Sequence, residues 1–162
     1  GVDPGRIFLM GVSRGAAVAI CPASISNAIR GIVTDSGFST KWLLNDNMRK
    51  WTGLILPVKR LPTWVYWILE DTGVFASEMK VQCRFPSVEK ALRTLKTPIL
   101  MIHGQKDAYV SSKHARKLYD YARRAPKTLL EVPDARHNES VLIAPDLYAK
   151  TVVEFLEDAL RN

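Results

Sequence analysis

Histidine and cysteine are scarce, with 3 and 2 residues among 162. His103, His114 and His137 stand apart and no His-x-x-x-His or paired-cysteine spacing occurs, so the sequence offers no metal-ligand cluster and implies no cofactor. Cys21 and Cys83 lie in apolar or mixed surroundings and are expected as reduced, partly buried thiols, which makes the cytoplasm the expected location. No apolar run approaches the roughly 18 residues of a membrane span. The opening turn Val2-Asp3-Pro4-Gly5 lacks the charged start and hydrophobic region of a secretion signal. Because that turn leads at once into an apolar run, earlier strands are expected upstream of it. Charge of one sign is not concentrated either. Lys+Arg 23 against Asp+Glu 16 gives +7, spread singly or in pairs such as Lys59-Arg60 and Arg123-Arg124. This reads as a solvated surface, the alternative being a basic face for anionic lipid or an acidic partner. No nucleic-acid-binding motif accompanies it. With 47% hydrophobic and 24% charged residues, one ordinary globular domain is expected.

The stretch Arg6 to Ala19 organises the rest. Ile7 to Met10 is an apolar run that enters Gly11-Val12-Ser13-Arg14-Gly15, and an alanine-rich segment follows. That order predicts strand, tight turn and helix. In a G-x-S-x-G turn of this kind the serine hydroxyl is exposed at the apex, the glycines let strand and helix approach, and the new helix aims free N–H groups at the hydroxyl. Ser13 is thus a candidate nucleophile, with the Arg14 N–H as one oxyanion donor.

A helix is expected from about Arg14 to Ser24, then a buried strand over 29–35 ending at the Ser36-Gly37 turn. Two such strands joined by a helix make a parallel, right-handed βαβ unit. Residues 38–86 differ: all four tryptophans (Trp42, Trp51, Trp64, Trp67) are here, with prolines at 57, 62 and 86. Short helices broken by those prolines are predicted, inserted as a cap over the strand ends. Three readings of the aromatic content stay open: packing of a small helical subdomain, the lining of an apolar acyl or aryl pocket, or a membrane-surface face around 48–69. Beyond it, Ser87 starts a helix through Leu95, Ile99 to His103 is a third strand, and Ser111 or Ser112 caps a helix through Arg124 with Ala115, Leu118, Tyr119 and Ala122 on one face. A fourth strand spans 128–132, residues 133–140 form a loop, and a closing helix over about 145–160 presents Leu147, Thr151, Phe155 and Leu156 to the core.

Chemistry in a parallel sheet gathers beyond the C-terminal strand ends. Ser13, Asp107 and His137 each follow a predicted strand on that edge, in the chain order Ser, Asp, His. An imidazole that takes and returns the serine proton, and a carboxylate that fixes its tautomer, are what acyl transfer requires. Among the other candidates, Asp134 shares the loop of His137 and is the alternative acid. Asp35 reads as a strand end or a tether for the inserted segment, His103 as a satisfied core residue, and His114 as solvated.

These marks resemble the α/β-hydrolase superfamily, and within it the Bem46-like and prolyl-oligopeptidase-like serine hydrolases. The resemblance rests on Val2-Asp3-Pro4-x-Arg6-Ile7 before the Gly11–Gly15 turn, Asp35-Ser36-Gly37-Phe38, Pro98-Ile99-Leu100-x-Ile102-His103-Gly104-x-x-Asp107, and His137. It implies a partial α/β-hydrolase fold, a mostly parallel sheet flanked by helices, with a core of 1–37 and 87–162 and a helical cap of 38–86. It also implies Ser13 as nucleophile, Asp107 as acid and His137 as base, acting on a small-molecule acyl substrate and most simply a carboxylic ester. Two departures stand out. Ala16 replaces a glycine usual in these relatives and is expected to crowd the helix–strand contact mildly. The family's second oxyanion donor comes from strands ahead of the turn, so the expectation is the C-terminal portion of a hydrolase, one donor short on its own. Amide or peptide hydrolysis uses the same residues, and a non-catalytic module keeping the fold is the reading from another class. The oligomeric state is not legible.

Overall fold

The computed structural model describes residues 3–55 and 61–161. The first two residues of the opening turn, Pro57 and the Lys59-Arg60 pair lie outside them. The elements run β1 (Ile7–Val12), α1 (Arg14–Ala23), β2 (Ile29–Asp35), α2 (Thr40–Ile55), α3 (Thr63–Val81), α4 (Val88–Thr94), β3 (Ile99–Gly104), α5 (Ser112–Tyr121), β4 (Lys127–Val132), α6 (Ser140–Ile143) and α7 (Pro145–Arg161). The chain divides into two compact units, 1–39 with 87–162, and 40–86.

In the first unit four strands pair in parallel in the order β1-β2-β3-β4. β3 is buried at every position, and its continuous apolar run is what a strand covered on both faces requires. Strand side chains alternate, so β3 gives Leu100 and Ile102 to one face and Ile99 and Met101 to the other, all nearly or wholly buried. Leu100 and Ile102 join Val33, Val132, Ala135 and Tyr148 in one cluster, with Leu130, Val152 and Phe155 against it. α1 packs on β1 and β2 and adjoins α4, which adjoins α5. On β1 itself Met10 and Val12 remain exposed.

Local signals set the boundaries. Ser87 Oγ accepts the Lys90 N–H at the start of α4, and Ser111 Oγ accepts the Lys113 N–H at the start of α5. Gly11 is needed for space: a Cβ there would lie 2.2 Å from the Gly15 carbonyl oxygen, whereas one on Gly15 would meet nothing within 4 Å. Only the first of the two glycines therefore serves the close approach. The expected crowding by Ala16 is absorbed across the turn, since a Cβ on Gly37 would come 2.8 Å from the Ala16 methyl.

Several expectations need correction. α5 stops at Tyr121, because Ala122 leaves the helical region at ψ 65°. On α7, Leu147 is exposed and Tyr148 takes the inward place beside it, whereas Phe155 packs on the core as expected and Thr151 and Leu156 are half-buried. An unexpected short helix, α6, starts at Ser140, the last residue of the expected loop. Cys83 is exposed, whereas Cys21 is half-buried and its thiol pKa is raised, first by burial and then by Glu89.

The second unit holds two long helices, of 16 and 19 residues, where short broken ones were predicted. Pro62 caps α3 and Pro86 follows it, so neither interrupts a helix. α2 and α3 meet through polar groups. Thr52 and Tyr66 share a hydroxyl–hydroxyl bond of 2.6 Å, Arg49 lies 4.5 Å over the Tyr66 ring, and Asn45 donates to the buried Glu70. Trp51, Trp64 and Trp67 are about as exposed as each other, at 59%, 60% and 61%. They do not form the interior of the subdomain, which corrects that reading of the aromatic content. Among the described residues no helix is long and apolar enough to cross a membrane.

The close approach at Gly11 gives a stability test. Gly11→Ala should lower unfolding free energy by about 1–3 kcal/mol through overpacking, read as a fall in the urea midpoint with an unchanged slope.

Candidate active site

Parallel register decides where the polar residues go. Val12 pairs with Asp35, Asp35 with Ile102, and Gly104 with Val132, so all four strands end at one rim. The residues that follow them, Ser13, Ser36, Gln105 to Asp107 and Pro133 to His137, share that rim.

Ser13 turns the chain from β1 into α1 with φ 55° and ψ −118°. A non-glycine residue held there costs roughly 1–3 kcal/mol. The surrounding bonds hold it: the Ser13 N–H donates to the Asp35 carbonyl at 2.8 Å, and its own carbonyl accepts the Ala16 N–H at 3.1 Å. The turn aims the hydroxyl at His137, with Oγ 2.9 Å from Nε2. On the other side of the ring, Nδ1 lies 2.7 Å from Asp107 Oδ2. The ionised carboxylate can only accept, so Nδ1 carries the proton and Nε2 offers its lone pair to the serine hydroxyl. The three side chains singled out in the sequence are thus brought into one hydrogen-bonded line.

Asp107 is fully buried at its side chain. Its Oδ1 accepts the N–H groups of Tyr109 and Val110, both at 2.8 Å. The carboxylate therefore keeps its orientation without help from His137. Tyr109 also lays its ring 5.0 Å from that of His137, and Phe38 meets Tyr109 edge-on at 6.4 Å. His103 is completely buried and donates from Nε2 to the Val110 carbonyl at 2.9 Å, 3.6 Å from Asp107 Oδ2. Its Nδ1 has no partner among the described residues, so the expected core histidine is satisfied on one side only.

Asp134 and His114 fall away from the site. Asp134, the alternative acid, is exposed and pairs with Lys106 at 2.6 Å. His114 is buried, not solvated: α5 turns it inward beside Ala115 and Leu118. Arg14 is the first residue of α1, so its N–H has no acceptor within the helix. Among the described residues, no three His, Cys, Asp or Glu side chains are grouped as a metal site.

Sequence reasoning missed the groups that hold the His137 segment. Gly104 ends β3 where a Cβ would stand 2.4 Å from the Ala135 carbonyl oxygen, so the segment passes directly over its α-carbon. Asp35 ends β2 with a buried carboxylate that accepts from Ser36 and Ser140 at 2.9 and 3.1 Å. The Tyr148 phenol of α7 lies close enough to feel its charge. Burial raises the Asp35 pKa and the donated hydrogen bonds oppose the rise. For Tyr148, burial leads, and the charge of Asp35 adds to it, pushing the phenol from 10.0 up to about 12. The signal for Tyr148 was the phase of α7, where Leu147 was expected inward in its place.

The raised phenol makes stability depend on alkaline pH. A group whose folded pKa exceeds its unfolded value stabilises fully below the unfolded value and loses that contribution as pH climbs through the folded one. The melting temperature should therefore fall between pH 10.0 and about 12, and in Tyr148→Phe this part of the decline should vanish from a series of thermal melts.

Likeness to known proteins agrees with the architecture. The family profile described as "Serine aminopeptidase, S33" matches residues 81–140. The YfhR protein of Escherichia coli O157:H7 is 26% identical over 162 residues, covering 98% of this chain and 48% of its own length. The alpha/beta hydrolase domain-containing protein WAV2 of Arabidopsis thaliana is 25% identical, covering 96% of this chain and 48% of itself. The chain spans about half the length of the curated relatives it matches. Among solved structures, the Pyrococcus furiosus esterase Pf2001 superposes with a TM-score of 0.65 at 26% identity, over 94% of this chain and 53% of the esterase. The parallel sheet flanked by helices, with its shared rim, is a partial α/β-hydrolase fold like those of these proteins.

Proposed function

We propose that this chain carries the catalytic centre of a serine hydrolase that cleaves a carboxylic ester through an acyl-enzyme intermediate. The observation behind the reading is the unbroken line Ser13 Oγ, His137 Nε2, His137 Nδ1, Asp107 Oδ2, with bonds of 2.9 and 2.7 Å. In it Ser13 Oγ attacks the acyl carbon while Nε2 takes its proton. The imidazolium that forms is stabilised by Asp107 and returns the proton to the departing alkoxide. Water then repeats the sequence from the other direction, releasing the acid and regenerating Ser13. The charge that develops on the carbonyl oxygen is met by the Arg14 N–H and the positive end of the ten-residue α1. The half-exposed Tyr109 ring beside His137 and its contact with Phe38 supply an apolar wall, which favours a substrate with an apolar portion near the scissile bond.

A second reading is hydrolysis of an amide or peptide bond by the same side chains. The description of the matching profile as a serine aminopeptidase favours it. An amide anion is a far stronger base than an alkoxide, so the C–N bond breaks only as His137 protonates the nitrogen, and that proton delivery would carry more of the barrier there.

A fluorophosphonate probe and p-nitrophenyl acetate test the proposal on the full-length protein. Wild type should be labelled and Ser13→Ala should not. Asp107→Asn, which reverses the tautomer preference of His137, should lower kcat by about 10⁴ while leaving the fold intact. A folded wild type that takes up no probe, or a Ser13→Ala protein that still does, would instead mark the chain as a non-catalytic module on the same fold.

A further inference from the structure

We propose that Asp35 is a positioning residue that sets the distance between Ser13 and His137. The inference rests on the hydrolase reading above and assigns a role to a residue outside the reacting line. Asp35 reaches both partners from one place. Its carbonyl oxygen accepts the Ser13 N–H at 2.8 Å and so fixes the apex of the β1–α1 turn. Its carboxylate accepts the Ser36 hydroxyl at 2.9 Å, and Ser36 Oγ in turn accepts the Asn138 N–H, the residue next to His137, at 3.0 Å. The same Oδ1 accepts the Ser140 hydroxyl at 3.1 Å, tying down the start of α6. The Tyr148 phenol of α7 stands within electrostatic reach of the same carboxylate.

The surrounding geometry shows that these ties carry a strained path. Ser36 and Asn138 both have positive φ, 53° and 61°, as has Ser13. Neither is glycine, so each persists because neighbouring bonds over-determine it. Asp35, Ser36 and Ser140 are at most 3% exposed, which keeps water from competing for the bonds. A burial penalty that raises the Asp35 pKa is tolerated at a group the fold could have replaced with an apolar residue. Asp107 orients the imidazole about its own axis; Asp35 sets how far the backbone holds it from the serine.

The test uses p-nitrophenyl acetate kinetics and fluorophosphonate labelling of the full-length protein, with circular dichroism melts to establish folding at the assay temperature. Asp35→Ala and Ser140→Ala should lower kcat by about 10- to 100-fold, the size of a displacement near 1 Å, with KM changed less than about twofold. Asp35→Asn keeps an acceptor oxygen for Ser36 and Ser140 and should recover most of kcat. Should Asp35→Ala fail to fold, Ser140→Ala, which leaves the carboxylate and its other ties, carries the comparison. Wild-type rates in folded Ser140→Ala would overturn the assignment. So would an Asp35→Asn protein as slow as Asp35→Ala, since charge and not position would then matter. Absence of labelling in wild type is a different result: it removes the hydrolase reading itself, and this assignment with it.

Discussion

Strand register is the constraint on which everything else in the first unit depends. The four strands reach one rim because they pair in parallel, Val12 level with Asp35, Asp35 with Ile102 and Gly104 with Val132. A one-residue slip in β2 would turn Asp35 to the other face of the sheet and bring a different carbonyl to the Ser13 N–H. It would also reverse which apolar residues face α7 and its neighbours, so the same burial that stabilises the sheet specifies the rim. The hydroxyl, imidazole and carboxylate are drawn from positions 13, 137 and 107, and no local preference could bring them together. The core does so.

Much of this was legible in the residues. Apolar runs bounded by Gly and Pro gave β1 to β4 nearly to the residue, and the strand-to-helix setting of Gly11 to Gly15 marked Ser13 before any geometry was known. The polar turn after β3 marked Asp107, and the pattern-free stretch after β4 marked His137. What stayed hidden depended on contact across the chain. Gly104 looks like a turn glycine, yet its reason is the Ala135 carbonyl of a distant segment. Asp35, Ser36, Ser140 and Tyr148 have no common spacing, because their relation exists only once β2, α6 and α7 meet. His114 is polar by composition and buried by helix phase, which residue type alone misjudges.

The unit of residues 40–86 shows a different limit. Tryptophan is usually counted toward a core, but the α2–α3 contact is made by Tyr66, Thr52, Arg49, Asn45 and Glu70, and three of the four tryptophans point outward. Hydrogen bonds therefore share with the burial of Tyr66 the task of fixing how the two helices pair.

The positive φ of Ser13 ties thermal tolerance to chemistry. Domains of ordinary size retain only about 5–15 kcal/mol of net stability, and one strained residue withholds roughly 1–3 kcal/mol of it. The sheet bears that load at all times, whether or not a substrate is present, through the bond from the Ser13 N–H to Asp35. A cavity opened far off under α7 draws on the same narrow margin as the turn itself, and repacking there makes room for damage at the apex.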